Sequence, residues 1–91
     1  IDFMAHRVTI GEREIKLSRR EFELLRLLAE HAGKVMTHRQ ILTAVWGEAH
    51  SHDVEYLRVY ARQLRSKLGD DPANPWLIET EPGVGYRVKT E

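Results

Sequence analysis

The stretch VEYLRVYARQLRSKL, running from Val54 to Leu68, decides how this chain is read. Its apolar residues Val54, Leu57, Ala61, Leu64 and Leu68 recur at three- and four-residue steps, so they stack into one stripe of an α-helix. Between Tyr56 and Leu68 there are four basic residues, Arg58, Arg62, Arg65 and Lys67, and no acidic one. A helix held down along one side and basic along the other is a candidate for lying on a polyanion. For a lone helix of this kind a solvated face is the better explanation. The flanking segments therefore decide.

Downstream, Gly69 ends the helix, and Asp70 to Pro75 is a turn-rich connector with two prolines. Leu77 to Glu81 and Tyr86 to Lys89 then read as two strands, with Pro82-Gly-Val-Gly85 as their turn and two glycines available for positive φ. Gly83-x-Gly85 is no dinucleotide fingerprint, because it joins two strands and lacks the third glycine. Upstream, Glu48 to Asp53 is a loop, and Ser51 or Asp53 is placed to cap the helix. Before the loop, Thr37-His-Arg-Gln40 is a capping box that starts a short helix over 38–46, with Ile41, Leu42 and Val45 facing inward. Trp46 falls in its last turn, either as a core indole or at the boundary with its N–H turned outward.

Further upstream, Ser18-Arg-Arg-Glu21 is a second capping box. The helix it opens runs to about His31, with Phe22, Leu25, Leu28 and Ala29 on one face and Gly33 at the left-handed exit. So broad an apolar face assigns it to the core. Val8 and Ile10, then Ile15 and Leu17, alternate with polar residues around Gly11-Glu-Arg13, which predicts a hairpin of 8–10 and 14–17. Two strands alone are marginal, and Ile1 to Met4 is expected to supply a third.

Ninety-one residues make one domain near the lower end of what buries an adequate core. The composition is 42% hydrophobic and 31% charged, ordinary for a globular chain. The absence of cysteine rules out disulfides and thiolate metal sites and fits a cytoplasmic location. No apolar run approaches the roughly 18 residues of a membrane span, and no signal peptide is visible. The first residues are Ile-Asp-Phe rather than Met, so the chain reads as a piece of a longer protein. Net charge is zero, against the strongly basic balance of the simplest nucleic-acid binders. The charge is uneven, however: the four bases of 56–68 are followed by Asp70, Asp71, Glu79 and Glu81 with no base between Gly69 and Glu81. Local charge sets the field at a contact surface, so neutrality does not exclude DNA.

The order is thus hairpin, three helices, hairpin: an α+β chain with the parts of a winged helix-turn-helix, whose second helix of the pair enters the major groove. Leu17-Ser-Arg-Arg-Glu-Phe-Glu-Leu-Leu25, Gly33-Lys-Val-Met-Thr37, Val45-Trp-Gly47, Leu64-Arg-Ser-Lys-Leu68 and Gly83-Val-Gly-Tyr-Arg87 together resemble the effector domain of OmpR/PhoB-type response regulators. Tyr56-Leu-Arg-Val-Tyr60, Pro72-Ala-Asn-Pro75 and Thr80-Glu-Pro-Gly-Val-Gly-Tyr86 further resemble its Kdp potassium-response branch. The resemblance implies a four-stranded N-terminal sheet, of which only part is expected here, three helices and a C-terminal wing. It implies a two-component system with an upstream receiver domain phosphorylated on aspartate, homodimerisation, and head-to-tail binding to direct-repeat half-sites. It also implies that the loop before the recognition helix touches RNA polymerase; by position that loop is Gly47, Glu48, Ala49, His50, Ser51 and His52.

With Leu57, Ala61, Leu64 and Leu68 inward, 100° steps put Glu55, Val59, Arg62 and Ser66 opposite, with Tyr56, Arg58 and Gln63 on the flanks. Arg62 suits a guanine, Gln63 an adenine and Val59 a thymine methyl, each good bidentate contact giving roughly 1–3 kcal/mol of discrimination. The resemblance supports Arg58, Val59, Arg62, Gln63 and Arg65 as the reading face. Arg65 lies nearer the core edge, where a phosphate or an acidic neighbour is the other destination. Phosphate contacts are expected from Thr37, His38, Trp46, Tyr56, Tyr60 and Tyr86, aided by the positive end of the helix dipole at Thr37. His38 stands where the family often carries arginine, so its contact strengthens on protonation. Pro82 stands where some members carry a minor-groove arginine and cannot supply that contact. Tyr86 is expected to pack its ring, with its hydroxyl left for DNA.

The competing function is a protein-interaction module on the same scaffold, motivated by zero net charge and the acidic segment. An enzyme is not expected: the chain has no Cys and no clustered carboxylate pair, and its Ser and His residues lie in loops or caps without a third partner. No cofactor is implied. His50-Ser-His52 is a poor metal site without a third ligand.

Overall fold

Val8 faces Ile15 across the first hairpin, and both are buried. In the computed structural model, which describes residues 2–4 and 7–90, β1 (Asp2–Met4), β2 (Arg7–Ile10) and β3 (Arg13–Lys16) form an antiparallel sheet in that order. Ile10 pairs with Arg13, so the turn is Gly11-Glu12 alone and both strands begin one residue earlier than the alternation predicts. Ile1, expected in the first strand, lies outside the described residues. The resemblance implies four strands; three are found among the described residues.

Both predicted capping boxes form. Ser18 Oγ accepts from the Glu21 amide at 3.3 Å, and Glu21 Oε1 accepts from the Ser18 amide at 2.8 Å. They open α1 (Arg19–Glu30). Thr37 and Gln40 do the same for α2 (His38–Trp46) at 3.1 and 3.0 Å. A 3-10 turn (Glu48–His50) follows, then α3 (Val54–Leu68), with the limits the sequence predicts. Asp53 is its N-cap residue but makes no capping bond, and Gly69 closes it in the left-handed region at φ 73°. Leu57, Ala61, Leu64 and Leu68 are buried against α1 and α2. Each leucine contributes about 1.5–3 kcal/mol by that burial.

The C-terminal hairpin, β5 (Ile78–Glu81) and β6 (Gly85–Val88), acquires a third strand. This is β4 (Met36–Thr37), which pairs antiparallel with β6 and was not predicted. Met36 faces Tyr86 and Thr37 faces Gly85. A Cβ on Gly85 would lie 1.8 Å from the Met36 carbonyl oxygen. The two wing glycines therefore serve different needs: Gly83 takes φ 74° at the tip, whereas Gly85 lets a second backbone approach. The result is a winged helix, α+β, with three helices, a three-stranded N-terminal sheet and a three-stranded wing sheet.

Candidate nucleic-acid interface

The outward face of α3 carries Glu55, Tyr56, Arg58, Val59, Arg62, Gln63 and Ser66, all exposed. Val59 is 46% exposed, an apolar side chain presented on the outward face. Arg58 is paired with Glu55 one turn earlier. Arg62 has no hydrogen bond or ion pair among the described residues. It is a free cation at the centre of the face.

Arg65 departs from expectation. It is 7% exposed, and its Nη2 donates to the Ile78 carbonyl at 2.9 Å and to Thr80 Oγ1 at 2.6 Å. Its guanidinium carbon sits 5.5 Å from the centre of the Tyr86 ring. Held this way, its guanidinium is directed at the wing, and the members of the expected reading face that stand exposed are Arg58, Val59, Arg62 and Gln63. Its partner is also not the phosphate or acidic neighbour considered from sequence, but the wing. Lys67, one of the four bases of the helix, pairs with Glu21 at 2.5 Å.

The N-terminus of α2 offers less to a phosphate than an uncapped helix would. The Thr37 and Gln40 amides are taken by the capping box, and the His38 amide donates to the Val84 carbonyl at 2.9 Å. The His38 ring packs edge-on to Tyr86 at 5.8 Å. Burial, aided by the Arg58 charge, holds its pKa below the ordinary 6.5. Protonation therefore helps His38 only at lower pH than the sequence suggests.

Trp46, Tyr56 and Tyr60 form a mutual edge-on triad with ring centres 5.0–5.5 Å apart, joining the end of α2 to the start of α3. Trp46 Nε1 is buried and has no hydrogen-bond partner. The indole N–H thus points into the protein, which removes the outward-facing role considered for Trp46. A hydrogen bond with Tyr56, then burial, pushes the Tyr60 pKa up, so its phenol keeps its proton at neutral pH. Tyr86 is only 4% exposed, and burial raises its pKa against the pull of Arg65. Of the aromatic phosphate candidates, Tyr56, 46% exposed, is the one fully at the surface.

The loop of Gly47 to His52 contains the 3-10 turn and buries Ser51, while Glu48, Ala49, His50 and His52 are exposed. His50 Nδ1 lies 2.9 Å from Asp53 Oδ2, and the Asp53 side chain makes no capping bond to α3. Neither residue offered from sequence as the cap performs that role. Among the described residues no group of three His, Asp or Glu side chains is placed to hold a metal. No helix among them is long and apolar enough to cross a membrane.

The acidic segment is largely engaged within the fold. Asp70 is buried, and its carboxylate accepts from the amides of Asp71, Trp76 and Ile78 at 2.8–3.0 Å. Glu79 pairs across the wing with Arg87 at 3.0 Å. Only Asp71 and Glu81 of the four are left as exposed acids. Sequence reasoning missed Asp70 and Thr80, and put Ser66 on the outward face without giving it a role. Thr80 and Ser66 line a cleft with Arg58, Arg62 and Tyr86 between α3 and the wing. The i, i+4 step from Arg62 to Ser66 was a signal for one; nothing in the sequence marked the other.

Comparison with known proteins agrees with this geometry. The family model described as transcriptional regulatory protein, C terminal, matches residues 12–88. The KDP operon transcriptional regulatory protein KdpE of Escherichia coli is 48% identical over 90 residues, 96% of this chain and 39% of that protein. Transcriptional regulatory protein KdpE of Mycobacterium tuberculosis is 40% identical over 98% of this chain, again 39% of its own length. The chain thus spans about two fifths of the curated relatives it matches. Among solved structures, the Klebsiella pneumoniae RstA DNA-binding domain in complex with the RstA box superposes with a TM-score of 0.84 at 30% identity, covering 91% of this chain and 82% of that one. The response regulator DrrB of Thermotoga maritima, an OmpR/PhoB homologue, gives 0.77 at 33% identity over 89% of this chain and 36% of its own. The family is one of transcriptional regulators rather than enzymes, and this chain belongs to it, as a C-terminal DNA-binding domain of the OmpR/PhoB type.

Proposed function

We propose that this domain reads double-stranded DNA in a sequence-specific way as the output domain of a two-component response regulator, with α3 in the major groove and the wing beside it. One observation carries the proposal: Arg62 stands free and exposed between Val59 and Gln63, on a helix whose opposite side is buried throughout. An arginine without an internal partner keeps its full donor fork for a guanine edge. Selection of bound duplexes from a random pool by the isolated domain tests this. The expected outcome is an enriched half-site, with affinity falling as salt rises at a slope of about −0.9 per phosphate contacted. No enrichment, with no binding at low salt, would leave the protein-interaction reading in its place.

The finer features follow from similarity to the KDP operon regulators. They are an upstream receiver domain, homodimerisation on phosphorylation, direct-repeat half-sites, and control of potassium-transport genes. The exposed residues of the Gly47 to His52 loop are the proposed contact with RNA polymerase. The protein-interaction alternative loses its chief motive now that Asp70 and Glu79 are engaged internally.

A further inference from the structure

We propose that Arg65 is a positioning residue that fixes the wing to the recognition helix, so that groove-reading and wing-side contacts meet DNA in a single register; this rests on the DNA-binding reading above. Arg65 reaches both wing strands at once. Its Nη2 donates to the Ile78 carbonyl at 2.9 Å and to Thr80 Oγ1 at 2.6 Å on β5, and its guanidinium carbon lies 5.5 Å from the Tyr86 ring centre on β6. It does so while 7% exposed, with Nε buried and unpartnered and with no ion pair among the described residues.

Stability alone does not account for this arrangement. A buried guanidinium with only neutral partners is costly, and apolar residues of similar volume often serve as well or better. What arginine adds is direction, because a planar fork accepts few orientations of its acceptors. The cleft between α3 and the wing is lined by Arg58, Arg62, Ser66 and Thr80 as well as Arg65. Arg65 closes its floor and so sets how far Thr80 and the strand behind it stand from Arg62. That distance decides which phosphates the wing can meet while Arg62 occupies the groove.

Three variants test the proposal on the 91-residue chain: Arg65→Met, Arg65→Lys and Thr80→Val. Without DNA, amide hydrogen exchange should quicken about tenfold or more on β5 and the wing turn in Arg65→Met, relative to Leu57 and Leu64. With DNA, the selected half-site should keep its preference at every base pair. Affinity should fall about tenfold, and the salt slope should shrink by about 0.9 for each wing-side phosphate lost. Arg65→Lys, which keeps a donor for the Ile78 carbonyl, should recover part of the slope. Thr80→Val should shift exchange and slope the same way by less. Loss of preference at one base pair alone would overturn the proposal in favour of direct reading by Arg65. A folded Arg65→Met with the parent's affinity and slope would overturn it in favour of a purely structural role. If Arg65→Met does not fold, parent-like exchange and slope in Thr80→Val would overturn it. Failure of the DNA-binding reading is distinct, since it would be seen in the parent domain before any variant.

Discussion

Lys67 Nζ lies 2.5 Å from Glu21 Oε1, so the last turn of the recognition helix is tied to the first turn of α1. Glu21 is 2% exposed and also accepts from the Ser18 amide at 2.8 Å. Burial pushes its pKa up, but the hydrogen bonds from Lys67 and from Ser18 outweigh it, and the carboxyl ends below the ordinary 4.5. A carboxyl with a depressed folded pKa contributes stability that is complete above about 4.5 and is lost as pH falls through the folded value. Lys67→Met should leave burial less opposed. The expected loss is about 1–2 kcal/mol at neutral pH, because one buried acceptor loses a donor. The acid limb of the stability profile should move to higher pH. Urea unfolding from pH 7 to pH 3 measures both, and an unmoved acid limb would show that Lys67 does not hold Glu21 ionised.

Arg62→Ala separates base reading from general attraction. If Arg62 is bidentate to a guanine, the selected half-site should lose about 1–3 kcal/mol, or roughly fivefold to more than a hundredfold. Random duplex loses only the share of one cation, visible as a slightly shallower salt slope. Titrations on both duplexes at a single salt concentration check it. Equal losses on both would remove Arg62 from the reading set.

The helices were legible because their signals are local. α3 runs over Val54–Leu68 as its apolar spacing and Gly69 require, and both capping boxes form as written. What stayed hidden depends on partners distant in sequence. β4 is two residues long and exists only because Gly85 lets Met36 approach. A helical wheel gave Arg65 and Lys67 a direction but not the neighbours that fill it: the wing, from residue 78 on, and Glu21, 46 residues away. The acidic segment likewise looked like surface charge, since nothing near Asp70 in sequence shows that three backbone amides fold around its carboxylate.

His38 should titrate below the ordinary 6.5, since burial and the Arg58 charge both disfavour its protonated form. For a histidine with a depressed folded pKa, the stability contribution is complete above about 6.5 and is lost as pH falls through the lowered value. The His38→Gln difference from the parent should therefore be flat from about pH 8 to 6.5 and narrow below it. Ring-proton NMR of the free domain gives the midpoint directly. A midpoint at or above 6.5 would contradict the packing of this ring against Tyr86.

Gly85→Ala should be among the most damaging single-methyl changes in the chain. Its Cβ would meet the Met36 carbonyl oxygen at 1.8 Å and the Thr37 Cα at 2.9 Å, all backbone that cannot rotate away. β4 must then leave β6, which also weakens the hydrogen bond from the His38 amide to the Val84 carbonyl. The cost is expected at about 3 kcal/mol or more, the upper range for overpacking. Thermal unfolding checks it; a loss under about 1 kcal/mol would mean that the β4–β6 pairing gives way easily.

Trp46→Phe and Tyr56→Phe should part company on DNA. The indole Nε1 is buried and unpartnered within the triad, so removing it deletes a polar atom that is already costly where it stands. Stability should be unchanged or slightly higher, and affinity should change less than about twofold, since no phosphate bond is lost. Tyr56 is 46% exposed, the most accessible ring of the triad. Tyr56→Phe should lose about 0.5–1.5 kcal/mol of binding on cognate and random duplex alike, as a phosphate contact would. Fluorescence anisotropy with both duplexes measures the pair. A tenfold loss in Trp46→Phe would mean that the indole turns outward on DNA, and that the triad opens when the complex forms.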